Sequence, residues 1–241
     1  MRKFFALMAA LFVIYALMVS CAEDAAPGSF SPSLAGEQSA EYTSSLENSS
    51  SQAPPAQILP GFKEYILDER GLKLQYPEKW TVIDKTSFDA DNPMLNAALE
   101  YTGVSKETML ESLEASPVTF YDFPGKACLI VGVEPSGGIG QDAMDSYAFT
   151  IRTAMENQAS MLASISGFKW LEEPAAGDFG ENRFAFFSTA YSVDGVPSAS
   201  YQAVTVNTGK LYRFSYVQQA EVIAPESVKQ IQQILSTVTL Y

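Results

Sequence analysis

A glycine-rich turn between Val131 and Met144 has the residue spacing of a phosphate-binding loop. Its motif, Gly138-x-Gly140-x-x-Ala143, can hold a dinucleotide pyrophosphate against the N-terminus of a helix. A Rossmann unit also needs an acidic residue at the end of a second strand about 20 residues further on. Here that region, Gln158 to Ser160, lies inside a predicted long helix. The motif therefore predicts a corner between a strand and a helix, and not a nucleotide site.

Ser166 and Lys169 have the Ser-x-x-Lys spacing of penicillin-recognising enzymes. In those enzymes the serine begins a helix, so that the lysine one turn later can act on it. Here the serine is predicted to follow a helix and the lysine to enter a strand, which directs the two side chains apart. The companion motifs Ser-Asp-Asn and Lys-Thr-Gly are absent from the sequence. The pair therefore does not indicate serine catalysis.

The acidic segment DADN, at Asp89–Asn92, resembles the start of a calcium-binding loop. Pro93 occupies the next alternating position, and the glycine that such a loop requires is absent. A weak surface calcium site formed by Asp84, Asp89 and Asp91 stays an open alternative. We assign no metal ligand from this segment.

Two pairs of carboxylates are close in sequence and near predicted turns, namely Asp178 with Glu181 and Glu172 with Glu173. Glycosidase-type chemistry requires two carboxyl groups that face each other across a cleft, and the sequence does not place these pairs. The chain contains no histidine, which removes Ser-His-Asp and Cys-His catalysis and His-ligated zinc. We assign no catalytic residue and no cofactor, and we expect a protein that is not an enzyme.

The N-terminal segment predicts export from the cytoplasm. Arg2 and Lys3 precede an apolar stretch from Phe4 to Val19, as in a signal peptide, here residues 1–20. The stretch falls short of the roughly 20 residues that comfortably span a bilayer. Removal of the two basic residues takes the net charge from −13 to −15. This acidic charge argues against nucleic-acid partners.

The four residues Met18-Val19-Ser20-Cys21 resemble the lipobox of bacterial lipoproteins. In that motif the cysteine receives a diacylglyceryl group and becomes the new N-terminus; leucine is commonest where Met18 stands. The resemblance implies a protein anchored by lipid to the extracytoplasmic face of the cell membrane, since several acyl chains hold a protein there where one would not. An ordinary signal peptide with an incidental cysteine, or an uncleaved anchor, is the alternative.

Residues 21–60 are predicted to form a disordered tether that begins at the lipidated cysteine. Ala22 to Pro60 are rich in Ser, Ala, Pro, Gln and Glu and contain no Lys or Arg, so they bury too little apolar surface to offset the entropy of ordering. A docking peptide for a partner is the alternative. Residues 61–241 have the composition and length of one globular domain. In this domain Cys128 has apolar neighbours and is predicted to be buried and inert.

Alternating hydrophobicity and turn residues predict an α+β domain, in which an antiparallel sheet of six to seven strands lies between helices. A helix from about Asp142 to Ser164 has one apolar face, which Leu162 and Ile165 extend, and a helix that Ser105 caps runs to Leu113. A last helix begins at Pro225. The predicted strands are Tyr65–Asp68, Leu72–Tyr76, Trp80–Ile83, Val118–Tyr121, Ala127–Glu134, Phe168–Glu172, Arg183–Val193, Ser198–Val206 and Lys210–Val217.

Four tyrosines fall on neighbouring predicted strands: Tyr191, Tyr201, Tyr212 and Tyr216. Because successive side chains of a strand point to opposite faces, Tyr212, Phe214 and Tyr216 form one buried set, and Arg213 and Ser215 are expected to lie outside. Core packing is the favoured role of the tyrosines, and a recognition surface is the alternative.

The order of these elements resembles the PsbP-like fold, which includes PsbP of photosystem II and bacterial lipoproteins of the DcrB type. The resemblance covers roughly residues 62 to 241. It is carried by GLKLQYPEKW, with Gly71, Tyr76, Pro77 and Trp80, by the long central helix, and by GKLYRFSYV, with Gly209, Leu211 and Tyr212. It implies a sheet between helices and a role in binding or assembly, and it supplies no catalytic residues.

These observations predict a lipoprotein with a non-catalytic binding or scaffolding domain in the cell envelope. The expected partners are the membrane, through the lipid anchor, and another envelope protein, while a small-molecule ligand between helix and sheet is left open. The alternative is a carboxylate-dependent envelope hydrolase, with or without calcium. Acids clustered in a concave pocket would favour the hydrolase, and acids scattered around a closed core would favour the binding protein. A purely structural role is a third possibility.

Overall fold

The computed structural model describes residues 57–88, 92–159, 165–193 and 195–241, without the side chains of residues 153, 154 and 156–159. These ranges contain four helices: α1 (Pro93–Thr102), α2 (Lys106–Ala115), α3 (Met144–Ala159) and α4 (Pro225–Ser236). The same ranges contain ten strands, which are β1 (Phe62–Leu67), β2 (Leu72–Pro77), β3 (Thr81–Asp84), β4 (Val118–Asp122), β5 (Ala127–Pro135), β6 (Ile165–Phe179), β7 (Asn182–Val193), β8 (Val196–Asn207), β9 (Lys210–Gln218) and β10 (Thr239–Leu240).

Seven strands form one antiparallel sheet in the order β3-β4-β5-β9-β8-β7-β6. The predicted α+β class and strand number are confirmed. Strands β6 to β9 follow one another through short turns, as the turn residues predict. Strand β9 then pairs with β5, so helix α3 connects β5 to the far edge of the sheet at β6.

The predicted N-terminal hairpin is confirmed, but it belongs to a separate sheet. Strands β1 and β2 pair with each other, and β10 joins β2 to give the order β1-β2-β10. Gly71 lies between β1 and β2 with a φ of 68°, a conformation that favours glycine. The tertiary fold brings β10 to this hairpin from the other end of the domain.

The two faces of the seven-stranded sheet are covered differently. One face packs against the small sheet and α4, around Leu74, Phe120, Tyr201, Phe214 and Ile234. The other, which we call the helix-covered face, carries two separate apolar clusters. Helix α3 packs over β7 and β8, whereas α1 and α2 pack over β3, β4 and β5. Helices thus lie on both faces, as predicted, and the small sheet is an addition.

The caps of the short helices follow from their sequences. The Ser105 hydroxyl accepts a hydrogen bond from Thr108 N at 3.1 Å, which confirms the predicted start of α2. Asn92 caps α1 by accepting from Met94 N, and Pro93 occupies the first helical position. The sequence pattern of Thr86 to Thr102 is ambiguous between helix and strand, so this helix is seen only in the structure.

The predicted apolar face of α3 is partly wrong. The helix begins at Met144, and Tyr147, Ile151 and Met155 lie on its buried face as predicted. Ile165 belongs instead to β6, and Leu162 lies outside the described residues. Strand β6 runs on to Phe179, beyond the predicted Glu172, because three register irregularities let it continue past Pro174.

The lipobox residues Met18, Val19, Ser20 and Cys21 lie outside the described residues, as do the signal peptide at residues 1–20 and residues 21–56 of the tether. In the part of the chain that the structure describes, no helix is long and apolar enough to span a membrane.

Candidate functional site

The glycine-rich motif forms the predicted corner between β5 and α3. Gly138 has a φ of 87°, and the side chain of Gln141 ties the corner to the next strands. Its Nε2 donates to Val206 O at 3.0 Å, and its Oε1 accepts from Arg183 N at 3.3 Å. Asp142 and Asp145 lie at the start of α3. Their negative charges oppose a phosphate at this helix N-terminus, so the corner serves to connect elements.

Ser166 and Lys169 both lie in β6, where they pair with Ser192 and Ala190 on either side of a register irregularity. Lysine does enter a strand, as predicted. Both residues lie on an edge strand, without the helical geometry that lets a lysine act on a serine one turn away.

The carboxylate of Asp84 is held by hydrogen bonds from its neighbours within the domain. It accepts hydrogen bonds from Tyr65 OH at 2.8 Å, Thr86 N at 2.9 Å and the hydroxyls of Thr86 and Ser87. Burial alone would raise the pKa of Asp84, but these hydrogen bonds together outweigh it and lower the pKa below its ordinary value. Asp84 therefore stabilises the β3 turn. The other two residues of the hypothetical calcium site, Asp89 and Asp91, lie outside the described residues.

One acid from each predicted carboxylate pair forms an ion pair with a different arginine. Asp178 contacts Arg183 at 3.1 Å, whereas Glu173 contacts Arg152 at 2.8 Å. Both ion pairs lie at the surface. Across residues 57–88, 92–159, 165–193 and 195–241, there is no group of three or more Asp, Glu, Cys or His residues that could hold a metal ion.

Cys128 is buried in the cluster under α1 and α2, as predicted. Burial raises the pKa of its thiol to about 12. Only about one thiol in 10⁴ would then be ionised at pH 8. We expect iodoacetamide to leave Cys128 unmodified in the folded protein at pH 8 and to label it fully in guanidinium chloride, as measured by peptide mass spectrometry. Rapid labelling of the folded protein would contradict an inert role.

The four tyrosines are confirmed as core residues. Tyr191, Tyr201, Tyr212 and Tyr216 all have less than 4% of their surface exposed, at 3%, 0%, 0% and 2%. The expectation for the opposite face of β9 is wrong. Arg213 has only 3% of its surface exposed, and Ser215 is partly buried, because helices cover this face as well. The covered face thus holds an arginine that sequence alternation assigned to solvent.

Arg213 is one member of a group of polar residues, the polar belt, that crosses the centre of the helix-covered face on strands β5, β7, β8 and β9. The pairing registers place these residues side by side: Ser200 lies opposite Thr189, Gln202 opposite Ser215, and Arg213 opposite Gly132. The belt consists of Glu134, Thr189, Ser198, Ser200, Gln202, Arg213 and Ser215.

Most belt side chains bond with one another. The guanidinium of Arg213 pairs with the carboxylate of Glu134, and the Ser215 hydroxyl donates to Gln202 Oε1. Further along β8, the hydroxyls of Thr189 and Ser200 lie 2.8 Å apart. These contacts satisfy much of the belt internally, as buried polar groups require.

Gln202 Nε2 and Ser198 Oγ, both in the belt, have no hydrogen-bond partner among the described residues. Both residues have 0% of their surface exposed. An unmatched buried donor or acceptor costs about 1–3 kcal/mol. Exchange of the nitrogen and oxygen of Gln202 would leave the other end of the amide unmatched, so the cost does not depend on that assignment. Ordered water or another molecule can supply the missing partners of such groups.

The belt lies at the seam between the two apolar clusters of the helix-covered face. Val204 and Phe187, beside Gln202, belong to the cluster under α3, whereas Cys128 belongs to the cluster under α1 and α2. Ser215 and its neighbour Ile130 are only partly buried. The belt therefore reaches the surface at Ser215, next to the unmatched amide of Gln202.

The sequence contains one signal for this site. In SASYQAVT, polar residues at 198, 200 and 202 alternate with Ala199, Tyr201 and Ala203, which indicates a strand with one polar face. The usual meaning of that pattern is exposure to solvent. Only the packing of helices over the sheet shows that these polar residues are buried.

No family model matches the chain, and no curated protein matches it. Among solved structures, the chain is similar to the PsbP protein CyanoP from Synechocystis sp. PCC 6803, with 14% identity, 78% of this chain and 98% of that chain covered, and a TM-score of 0.46. PsbP, the family that the sequence motifs indicate, is thus among the structures to which the chain is similar.

Two further solved structures show comparable likeness. LpqN from Mycobacterium tuberculosis, described as involved in cell envelope biogenesis, has 12% identity, with 74% of this chain and 91% of that chain covered and a TM-score of 0.42. A protein from Bacteroides thetaiotaomicron also has 12% identity, with 75% of this chain and 49% of that chain covered and a TM-score of 0.43. At these values the likeness carries nothing about ligands or partners.

Proposed function

We propose that this protein is an exported lipoprotein, held on the extracytoplasmic face of the cell membrane by lipid on Cys21, whose domain binds a partner or ligand without catalysis. The anchor is supported by the lipobox-like residues Met18 to Cys21 after an apolar stretch. The Ser-, Ala- and Pro-rich residues 21–60 are proposed as the tether between the lipidated cysteine and the domain.

The placement of the acidic side chains is the observation that carries the non-catalytic role. Asp178 and Asp145 both contact Arg183, Glu173 contacts Arg152, and Glu134 contacts Arg213. Carboxylates that are engaged separately by arginines do not form a facing pair across a cleft, which glycosidase-type hydrolysis requires. These four acids are therefore distributed among three arginines around a closed apolar core, which supports the binding protein over the hydrolase.

The domain begins with a fixed attachment of the preceding chain. The Gln75 side chain is 4% exposed; its Oε1 accepts from Leu59 N at 2.8 Å, and its Nε2 donates to Gln57 O at 3.2 Å. This attachment lies beside the small sheet, on the side of the large sheet opposite the helix-covered face. The polar belt therefore faces away from the point where the tether enters the domain.

The anchor is tested with the variant Cys21→Ala, and Cys128→Ala serves as the matched control because it removes the other cysteine. We expect mass spectrometry of the membrane-extracted protein to find acylated Cys21 as the N-terminal residue. The Cys21→Ala variant is expected to lose membrane retention, whereas Cys128→Ala is expected to keep it. An unmodified Cys21, or a Cys21→Ala variant that stays on the membrane, would contradict the anchor.

The non-catalytic role is tested separately on the same purified protein, by incubation with peptidoglycan and other envelope polymers, with and without calcium. Release of products that depends on Asp178, Glu172 or Glu173 would overturn the binding role and establish the hydrolase.

A further inference from the structure

We propose that the outer face of the small sheet, which points away from the large sheet, is a surface that contacts the membrane. This inference rests on the proposed function, because lipid on Cys21 brings the domain to the bilayer, and it adds the orientation in which the two meet. Leu72 and Leu74 of β2 point into the core between the sheets. Because side chains alternate along a strand, the residues between them point outward.

Three exposed apolar side chains lie on the outer face, namely Ile58, Ile66 and Tyr241, and each is about half exposed. They are three of eight exposed large apolar side chains among the described residues. Ile66 lies opposite Lys73, and Lys73 lies opposite Thr239, two residues before Tyr241. With strands about 4.8 Å apart and alternate residues about 6.8 Å apart, Ile66 and Tyr241 are separated by about 12 Å. These residues therefore form one patch, which we call the apolar patch.

Hydrogen bonds hold the apolar patch in a fixed arrangement. The side chain of Gln75, on the outer face of β2, bonds to the backbone on both sides of Ile58. The Tyr241 hydroxyl donates to Asp68 Oδ1 at 2.6 Å. Side chains and backbone that are already ordered lose little further conformational entropy when another surface covers them. The apolar patch is therefore preorganised for contact.

The chain that leads to the proposed lipid anchor joins the domain at this same face. Gln57 is bonded to Gln75, and the sequence before it leads back to Cys21. The helix-covered face lies on the other side of the large sheet. An anchored domain meets the bilayer at a high effective concentration, so a patch of this small size is sufficient for contact.

The distribution of charge also favours this face over the rest of the domain. Residues 57–79, which include β1 and β2, carry four basic and four acidic side chains, a net charge of zero. Residues 80–241 carry nine basic and nineteen acidic side chains, a net charge of −10. Lys210 adds a positive charge beside the hairpin, because its Nζ donates to Arg70 O at 3.0 Å. Anionic headgroups therefore repel the hairpin least.

The residue types of the outer face fit contact at the level of the lipid headgroups. Tyrosine has an apolar ring and a polar hydroxyl, and it is enriched at membrane interfaces. Lys73, paired with Glu64 at 3.1 Å, can cover apolar surface with its stem while its charge stays in water. Contact at this depth keeps the unpaired edge of β1 among headgroups and water, so no backbone group loses its hydrogen bonds in hydrocarbon.

The experiment uses the full-length lipidated protein in vesicles of phosphatidylethanolamine and phosphatidylglycerol. One fluorophore is attached at Thr239→Cys, an exposed position of the outer face, and the matched reporter at Ser146→Cys, an exposed position of α3. The introduced cysteine takes the label, because Cys21 is acylated and Cys128 is buried. We expect a nitroxide-labelled lipid to quench the reporter at position 239 and to leave the reporter at position 146 unquenched.

Glutamate substitutions test the apolar patch itself. Ile58→Glu and Ile66→Glu are each expected to lower the ratio of docked to undocked protein about fivefold, the effect of one charge near anionic headgroups. Phe149→Glu, at an exposed aromatic position of α3, is the matched control and is expected to leave quenching unchanged. Circular dichroism shows whether each variant keeps its fold.

Absence of quenching at position 239, equal quenching of both reporters, or quenching that survives both isoleucine substitutions would each overturn the inference. A blue shift at position 239 that grows with protein density, without quenching by the lipid, would overturn it in favour of a second copy on this face. Mass spectrometry of Cys21 and sedimentation with the vesicles report the anchor separately. Failure of docking is therefore distinguishable from failure of the proposed function.

Discussion

Replacement of Arg213 by methionine is expected to lower the free energy of unfolding by about 3–5 kcal/mol. The Arg213 side chain has only 4% of its surface exposed, and that of its partner Glu134 has 17%. Removal of the guanidinium leaves a carboxylate that is largely withdrawn from water without its counter-charge. Because a domain of this size has a total stability of about 5–15 kcal/mol, the loss is a large part of the whole. Denaturation by urea, monitored by circular dichroism, measures the loss in the free energy of unfolding.

Arg183→Met is the matched control for this prediction. Arg183 contacts two acids, Asp145 at 2.9 Å and Asp178 at 3.1 Å. Both partners are exposed to solvent, and surface ion pairs contribute little because water screens them. We expect Arg183→Met to lower the free energy of unfolding much less than Arg213→Met does. Equal losses for the two variants would show that burial does not decide the effect.

A double variant distinguishes the cost of the unpaired carboxylate from the contribution of the pair itself. Arg213→Met and Glu134→Leu together remove both charges of this pair, and replacement of a buried pair by apolar residues is often close to neutral. We therefore expect the double variant to recover most of the stability that Arg213→Met loses. If it stays as unstable as the single variant, packing of the arginine stem, and not charge, controls stability here.

Gly71→Ala is expected to destabilise the domain by about 3–4 kcal/mol. Gly71 has a φ of 68°, and a Cβ at this position would overlap the backbone carbonyl oxygen of Tyr241. The backbone of Tyr241 cannot rotate away as a flexible side chain can, so the C-terminal strand would have to shift. The shift would disturb the hydrogen bond from Tyr241 N to Gly71 O at 3.0 Å, and with it the pairing of β10 with β2. Chemical denaturation monitored by circular dichroism measures the loss.

Gly209→Ala separates backbone conformation from steric overlap. Gly209 has a φ of 76°, close to that of Gly71, but a Cβ there would meet no atom within 4 Å. Its substitution should carry only the conformational strain of a left-handed residue, about 1–2 kcal/mol. The difference between the two variants then measures the overlap with Tyr241. Equal destabilisation by both substitutions would contradict the close approach of the C-terminal strand to Gly71.

The sequence predicted the elements of the domain wherever local chemistry is strong. Ser105 caps a helix because its hydroxyl satisfies a backbone N–H of the first turn, and Thr208 and Gly209 turn a hairpin because both adopt positive φ. The absence of histidine from the chain limits the catalytic chemistry open to it. Each of these inferences depends on residue types or on residues that are neighbours in the chain.

The sequence did not predict long-range pairing. Nothing local to Thr239 and Leu240 indicates that they join β2, and nothing local to β5 indicates that β9 lies beside it. Strand β6 continues past the predicted end at Glu172 because an edge strand with register irregularities tolerates Pro174.

The sequence by itself determined the alternation of polar and apolar residues along β8 and β9, and the tertiary structure alone decided what that alternation means. A strand pattern assigns side chains to two faces but does not say what covers either face. Helices α1, α2 and α3 cover the face that carries Gln202 and Arg213, and coverage removes water from their polar groups. The same residues that would be ordinary surface on an open sheet therefore become a buried polar belt, with an amide left to be satisfied.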